Sequence, residues 1–483
     1  MTASKTQRHP NSSLCPELDS QFYLQKNSFL ESEPETLSER KSHLRTLKEI
    51  LIENHTEIFS AISRDFGNRS IHESLLAEYI TVIGNLNSTI RNLKRWMKPE
   101  RRHVELTMYA GAKNWVIPQP LGVVGVIVPW NFPVNQIFTQ LASIFAAGNR
   151  AMVKMSEKST HLSALLISIV ERYFPREKLS IHAESGRTGT DFAQLPFDHL
   201  IFTGSSDTGR KVMASASANL TPVTLELGGK CPAIIATDYP LKKAVERILF
   251  AKQFNGGQIC TSVDYVFVHH SKLQEFIALS RSWVEKSIPD INSTDYTSII
   301  DQAAFTRIEE TVEDAKDKGA RILPLTAQSP NALSRKYPLT LILDTTEDMI
   351  IRRKETFGPL LMVLPYDTPQ EVVGYINRRD RPLAIYPFSN DKQLTQRYIG
   401  QIMSGGVTVN DALYHVGQHD LPFGGVGASG MGHYHGREGF LNFSKLRPIM
   451  EQASITAGGL LSPPYSTGPA DKILRFLSQF LAR

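Results

Sequence analysis

A single thiol, that of Cys260, stands where a bound molecule could reach it. It follows Gly256 and Gly257, and paired glycines let the main chain approach a ligand at an entropic cost. Upstream, Glu226 ends an apolar run, where a carboxylate is costly to bury unless it is solvated or at work. Asn131 is a polar amide in an apolar turn. A nucleophile, a base and an oxyanion donor together suit acyl-thioester chemistry.

Each of these three residues also has an ordinary structural interpretation. A free cysteine such as Cys260 often packs as a small apolar side chain. Glu226 could equally be a structural hydrogen-bonding group, and asparagine is common in turns because its side chain bonds to nearby backbone. Taken one at a time, the residues leave these alternatives open.

Other motifs carry less weight. Residues 425–430 match GxGxxG, but they follow no clean strand and no acid stands about 20 residues further on, so we reject them as a dinucleotide fingerprint. Residues 204–211 follow a predicted strand and open a helix, which leaves a phosphate site and an ordinary N-cap turn both open. No GxSxG occurs, which weighs against a serine hydrolase. His269 and His270 should point to opposite faces of a strand, so we expect no metal site.

The composition narrows the class of protein. With 483 residues and 41% hydrophobic residues, the chain should form two or three domains. Its three cysteines form no CxxC pair, there is no signal-peptide core and no apolar run reaches about 18 residues, so we expect a cytoplasmic protein. The net charge of +5 is spread out, which disfavours nucleic acid as a partner and still suits anionic substrates or cofactor phosphates.

Hydrophobic patterning predicts the elements that must position these residues. The polar residues 1–35 carry three prolines and predict an extended arm, ahead of helices and a hairpin strand over residues 104–117. From residue 121, apolar runs alternate with helical segments, which is typical of a doubly wound α/β domain. The alternation restarts at about residue 230 and predicts a second α/β unit, with strands that include residues 360–364 and 407–410.

The C-terminal region reads as a linker over residues 462–469 followed by an amphipathic helix over residues 471–483. Its apolar side chains recur at helical spacing opposite lysine and arginine. We favour docking of this helix onto its own or a partner's surface, and membrane contact stays open.

Six motifs occur in an order that resembles the aldehyde dehydrogenase superfamily over about residues 35–450. They lie at residues 129–133, 202–205, 226–230, 254–260, 355–359 and 422–425. Residues 65–69 and 419–425 look most like the bacterial coniferyl-aldehyde dehydrogenase branch, near the class 3 and fatty-aldehyde enzymes.

The resemblance implies an α/β fold with a doubly wound parallel-sheet NAD-binding domain, an α/β catalytic domain and a small β bridging element for oligomerisation. The implied ranges are 1–100 and 119–229 for the first domain, 230–425 for the second, and 101–118 with 426–460 for the bridging element. Residues 461–483 would be the linker and C-terminal helix. A homodimer is expected.

By this resemblance, Cys260 attacks an aldehyde, Asn131 and the Cys260 backbone NH hold the oxyanion, and Glu226 activates the water that hydrolyses the thioester. The implied cofactor is NAD, with NADP open, because Glu157 would accept from a ribose 2′-OH and repel a 2′-phosphate. The implied cofactor-binding residues are Trp130, Lys154, Glu157, Gly204, Ser205, Gly209, Leu227, Glu355 and Phe357.

The substrate is less constrained than the reaction. Tyr414 and His415 are candidates for shaping the aldehyde tunnel, and the closest branch suggests an aromatic aldehyde such as coniferyl aldehyde. A medium- or long-chain aliphatic aldehyde is the alternative. Outside the class stand a cofactor-independent thiol esterase and a non-catalytic binding protein. CoA-acylating relatives are a nearer alternative, although they usually lack the glutamate at the position of Glu226.

The sequence departs from the usual family pattern beside the nucleophile. Gly256 replaces a common alanine, Ile259 replaces a common threonine, and Met155 stands where proline is frequent. The first two could alter loop mobility and the activation of Cys260, while the three catalytic residue types are intact.

Overall fold

The computed structural model describes residues 15–185, 188–454, 456 and 461–482. The predictions for residues 1–14, for Arg483 and for the rest of residues 455–460 lie outside this part of the chain.

The N-terminal region is helical. Its helices are α1 (Pro16–Glu31), α2 (Leu37–Phe66), α3 (Ile71–Ser74) and α4 (Thr81–Trp96), with a π-helical turn over Leu75–Ile80. The predicted extended arm was therefore wrong for α1. Leu18 and Phe22 of α1 are buried, and the Gln25 side-chain amide donates to the Ala151 carbonyl at 2.9 Å, so tertiary contacts stabilise a helix that its weak periodicity does not reveal.

A six-stranded sheet forms the first α/β unit. Its strands run in the order β15-β7-β6-β3-β4-β5, all parallel except β15. The strands are β3 (Val123–Ile127), β4 (Arg150–Lys154), β5 (Leu179–His182), β6 (His199–Gly204), β7 (Val223–Leu227) and β15 (Gly430–Met431). The helices are α6 (Pro133–Ala147), α7 (Thr160–Tyr173), α8 (Thr188–Ala193) and α9 (Ser206–Ser217). β3 is buried throughout, as a strand covered on both faces must be.

A seven-stranded sheet forms the second unit, in the order β10-β11-β12-β9-β8-β13-β14. Its strands are β8 (Cys231–Ile235), β9 (Val263–His269), β10 (Arg321–Pro324), β11 (Thr340–Leu343), β12 (Leu360–Tyr366), β13 (Ala384–Phe388) and β14 (Gly406–Val407). Its helices are α10 (Leu241–Gln253), α11 (Leu273–Ser287), α12 (Gln302–Asp317), α13 (Ile350–Arg353), α14 (Pro369–Asn377) and α15 (Lys392–Gln401), with 3-10 turns at Phe254–Gly257 and His270–Lys272. The predicted α/β fold class is confirmed.

A three-stranded antiparallel sheet stands apart from both units. It consists of β1 (Glu100–Arg102), β2 (Lys113–Pro120) and β16 (Ser444–Glu451). The short helices α5 (Leu106–Tyr109) and α16 (Gly436–Asn442) lie in the chain just before β2 and β16. β15 lies in the segment we assigned to bridging, yet it pairs with β7 in the six-stranded sheet. The domain ranges remain a prediction.

Three local expectations were wrong. The strand predicted at residues 104–117 begins only at Lys113, after the α5 turn. The strand predicted at residues 407–410 ends at Val407, and Asn410 has a left-handed φ of 60°. His269 and His270 do not point to opposite faces, because the strand ends at His269 and a 3-10 turn brings the two ring centroids to 4.5 Å.

Near this histidine pair, one atom each of His269, His270 and Asp367 lies within 4.8 Å of the others. His270 and Asp367 are largely exposed, with side chains 62% and 66% accessible. Such surface groups are common without an ion, and the expectation that the protein binds no metal stays a prediction.

The C-terminal segment ends in α17 (Ala470–Leu481), as the periodicity predicts, and Phe476 and Phe480 stack on each other on its exposed side. Within the described ranges, none of the helices has the length and apolar character needed to span a bilayer.

The Asn149 side chain forms hydrogen bonds both to the segment just before β3 and to the segment just before β16. Its Oδ1 accepts from the backbone NH groups of Leu121 and Gly122 at 2.7 and 2.9 Å, and its Nδ2 donates to the Phe443 carbonyl at 2.8 Å. We expect Asn149→Ala to lower the free energy of unfolding by about 3 kcal/mol, because it leaves buried partners unsatisfied. Urea denaturation measures this, and the exposed Asn219→Ala should change the value by less than about 0.5 kcal/mol. Equal effects of the two substitutions would contradict the assignment.

Candidate active site

Cys260 follows a left-handed turn of the main chain. Asn255, Gly256 and Gly257 have φ angles of 55°, 61° and 74°. Only glycine adopts this region without strain, and asparagine tolerates it better than most residues. A Cβ on Gly257 would also lie 2.3 Å from the Gly358 carbonyl oxygen. Glycine at position 256, the departure from the family pattern, is therefore suited to the backbone of this turn.

Asn131 is joined to this turn by buried hydrogen bonds. Its Nδ2 donates to the Gln258 carbonyl at 3.1 Å. In return, the Asn255 side-chain amide donates to the Asn131 carbonyl at 3.2 Å and to the Gln258 carbonyl at 3.1 Å. An amide has two hydrogens, so one of those on Asn131 fixes the side chain and the other can face a ligand.

Two buried residues that sequence reasoning missed hold the other side of this turn. Arg69 Nη1 lies 3.0 Å from Glu78 Oε1 and donates to the Asn131 carbonyl at 2.7 Å. Glu78 Oε2 accepts from the Asn135 backbone NH at 2.7 Å, at the start of α6. The only sequence signal for Arg69 is its place in the motif at residues 65–69. That motif does not indicate what the Arg69 side chain contacts.

Cys260 lines an apolar cavity of about 170 Å³. Among the described residues, six aromatic side chains line it together with aliphatic ones, and Phe132 stacks on Phe254 with ring centroids 6.2 Å apart and planes inclined by 12°. Tyr434, fully buried, also lines it. Ile259, another departure from the family pattern, contributes an apolar side chain to the same wall. The cavity suits the apolar part of a substrate.

Of the two predicted tunnel residues, Tyr414 lines this cavity and is half exposed. His415 is not among its lining residues. The His415 ring instead pairs with the Thr408 hydroxyl at 2.8 Å and lies against Tyr386 and Phe423. The side chains of these adjacent residues diverge here, and a role of His415 in shaping the tunnel stays a prediction.

Glu226 is buried at the end of β7, and neither of its carboxylate oxygens has a hydrogen-bond partner of normal geometry among the described residues. Burial raises its pKa well above the ordinary value, and the nearby Gly425 backbone NH opposes this only in part. A structural hydrogen-bonding group would have partners. An unpartnered buried carboxyl favours a working role instead.

The thiol and a second carboxyl are also held in their protonated forms. Burial raises the pKa of Cys260 to about 12, with Glu355 and Glu226 as further causes. Burial, together with the charge of Asp264, raises the pKa of Glu355 to about 8. A positive charge brought beside these groups would favour their ionised forms.

The predicted phosphate-binding residues surround the start of α9. Ser205 caps this helix, accepting from the Thr208 backbone NH at 3.3 Å, so the N-cap turn is real and leaves the helix N-terminus available to an anion. A Cβ on Gly204 would lie 2.5 Å from the Phe202 ring, and one on Gly209 would lie 2.7 Å from Leu227. Both glycines allow close packing of the helix on the sheet.

Of the remaining predicted cofactor residues, Glu355 lines a cleft and the others have contacts of their own. Trp130 and Phe357 pack edge to face with centroids 5.6 Å apart. Glu355 lines a polar cleft of about 690 Å³ together with residues after β7. Lys154 forms an ion pair with Glu184, a residue that sequence reasoning missed, and Glu157 is exposed just after β4. This donor set fits a dinucleotide.

Comparison with known proteins decides the family, because residues 26–449 match the aldehyde dehydrogenase family. The chain belongs to this family. A probable coniferyl aldehyde dehydrogenase of Pseudomonas aeruginosa is 42% identical over 93% of this chain and 94% of its own. The substrate-bound state of Staphylococcus aureus AldH superposes with a TM-score of 0.89 at 30% identity, covering 95% of this chain and 99% of that one.

A Mycobacterium tuberculosis aldehyde dehydrogenase solved with NAD⁺ has a TM-score of 0.81 at 25% identity, and the match covers 90% of each chain. The predicted family and its aldehyde-oxidising activity are confirmed. The roles of the individual residues remain predictions.

The raised thiol pKa predicts the pH dependence of alkylation. Only the thiolate reacts, so the rate of iodoacetamide labelling at Cys260 should rise about tenfold per pH unit between about pH 7 and 10 in the cofactor-free protein. Mass spectrometry of the peptide that contains Cys260 measures the rate. Labelling of the Cys260→Ser variant shows how much of the total labelling occurs at Cys15. A rate that levels off below about pH 8 would contradict the raised thiol pKa.

Proposed function

We propose that this protein oxidises an aromatic aldehyde to its carboxylic acid with NAD as electron acceptor. The observation that carries the proposal is the approach of three groups to one another beside one cavity. The Cys260 thiol lines it, the Asn131 amide is tied to the turn before Cys260, and the unpartnered Glu226 carboxyl is near enough to perturb the thiol.

In the proposed reaction, the Cys260 thiolate attacks the carbonyl carbon and forms a thiohemiacetal. Its oxyanion accepts hydrogen bonds from the Asn131 side chain and the Cys260 backbone NH. Loss of hydride from the carbon leaves a thioester on Cys260. Glu226 then takes a proton from water, the resulting hydroxide attacks the thioester, and the acid leaves as Cys260 recovers its proton.

When bound, the nicotinamide dinucleotide accepts the hydride, and its cationic ring favours the thiolate. The chain would hold it through Ser205 and Gly204 at the phosphates, Lys154 and Glu157 at the adenosine ribose, and Glu355 at the other ribose. Trp130, Phe357, Leu227 and Gly209 would complete the cleft. The exposed carboxylate of Glu157 supports NAD over NADP, since it would repel a 2′-phosphate.

Two observations support an aromatic substrate. The cavity beside Cys260 has an aromatic wall with a stacked Phe132–Phe254 pair, and flat rings pack well against such walls. The similar Pseudomonas aeruginosa protein is named for coniferyl aldehyde. A medium- or long-chain aliphatic aldehyde is the competing substrate.

We also propose that the protein is a cytoplasmic homodimer with the domain ranges given above. The three free cysteines support a reducing compartment. The three-stranded sheet supports the oligomerisation role, because the three strands keep partly or fully exposed positions along their length.

The proposal predicts turnover that depends on both cofactor and thiol. Coniferyl aldehyde with NAD should give reduced nicotinamide. The kcat/KM for coniferyl aldehyde should be above that for octanal, and the kcat/KM with NAD should be above that with NADP. Cys260→Ser should abolish this absorbance gain, while Cys15→Ser should leave it unchanged. Ester hydrolysis without any aldehyde oxidation would support the thiol esterase instead.

The oxyanion role predicts a defined loss. We expect Asn131→Ala to lower kcat about 10²- to 10³-fold, because one donor to the developing charge is removed. Steady-state kinetics with NAD measures this, and circular dichroism checks that the fold is retained. Activity within about tenfold of wild type would remove Asn131 from the mechanism.

A further inference from the structure

Arg69 is a buried cation outside the proposed catalytic set. Its side chain and that of Glu78 are both 0% exposed. The guanidinium lies over the rings of Phe132 and Phe66, with its central carbon 4.7 and 5.1 Å from their centroids. Burying such a pair is costly and its net contribution to stability is small or unfavourable, so its retention calls for another explanation.

The contacts of this pair converge on one short turn. Arg69 donates to the Asn131 carbonyl at 2.7 Å. Glu78 accepts from the Asn135 backbone NH at 2.7 Å, four residues further along the chain. The Arg69–Glu78 pair therefore forms hydrogen bonds to both ends of the turn that contains Asn131 and Phe132.

We propose that Arg69 is a positioning residue that aims the Asn131 amide at the oxyanion. The Asn131 carbonyl is fixed by Arg69 on one side and by the Asn255 amide on the other. With its backbone fixed at two points and one amide hydrogen directed to Gln258, the Asn131 side chain has little freedom left. This inference rests on the proposed function.

A lysine cannot reproduce this arrangement. The planar guanidinium lies over the Phe132 and Phe66 rings while its Nη1 reaches Glu78 and Asn131. An ammonium could donate to both acceptors, but it is a strongly hydrated point charge with no flat face to pack against the rings. In Arg69→Lys the charge stays, but the Asn131 turn loses its fixed geometry. A displacement of about 1 Å at a reacting group can lower a rate by about 10²-fold.

The test is a double-mutant cycle on aldehyde oxidation with NAD. We expect Arg69→Lys to lower kcat by about ten- to a hundredfold in the wild-type background, with KM for NAD within about twofold. In the Asn131→Ala background, the same substitution should lower kcat by less than about twofold, because the group it positions is already absent.

Arg64→Lys, at an exposed position in the last turn of α2, is the matched control and should leave kcat within about twofold in both backgrounds. Equal losses from Arg69→Lys in both backgrounds would overturn the inference, since a general structural role is additive. Should Arg69→Lys fail to fold by circular dichroism, Arg69→Gln takes its place in the same cycle with the same criterion.

The outcomes separate this inference from the function on which it rests. A wild-type protein that oxidises no aldehyde, or an Asn131→Ala variant with nearly full activity, contradicts the proposed function, and the inference falls with it. Normal oxidation and a strong Asn131→Ala loss, combined with an additive cycle, overturn the role of Arg69 alone.

Discussion

The run of three left-handed residues before Cys260 is the constraint on which the rest of the site depends. Asn255, Gly256 and Gly257 reverse the usual twist of the chain, and the Gly358 carbonyl leaves no room for a side chain at Gly257. Such a turn does not persist unless its surroundings over-determine it. Here they do, because the Asn255 side chain bonds to two backbone carbonyls across the site.

The low polarity around Cys260 and Glu226 affects both their protonation and the hydrogen bonds of the site. The Glu226 carboxyl is buried and the Cys260 thiol lines an apolar cavity, and in both places the charged form is disfavoured. Both pKa values are therefore raised, which favours the protonated forms of the two groups. Low polarity also strengthens the hydrogen bonds that meet a developing negative charge. In the proposed reaction, the positive charge of the oxidised nicotinamide ring would favour the Cys260 thiolate.

The sequence predicted the sheet alternation and the glycine-rich turn before Cys260, because long apolar strands and paired glycines leave local signals; the role of Cys260 as nucleophile stays a prediction. The sequence did not predict features that depend on tertiary contacts. α1 is held by side chains that bond to the first sheet, and the Arg69–Glu78 pair meets a turn about sixty residues away in the chain. The rings of His269 and His270 share a side only because β9 ends between them.

The central claim is that Cys260 forms a thioester which Glu226 helps to hydrolyse. Rapid mixing of Glu226→Gln with an aldehyde and NAD tests it directly, because acylation releases reduced nicotinamide and hydrolysis does not. The account predicts a burst of about one equivalent of reduced nicotinamide per active site, followed by near arrest. Steady turnover at the wild-type rate, or a variant that gives no burst, would contradict it.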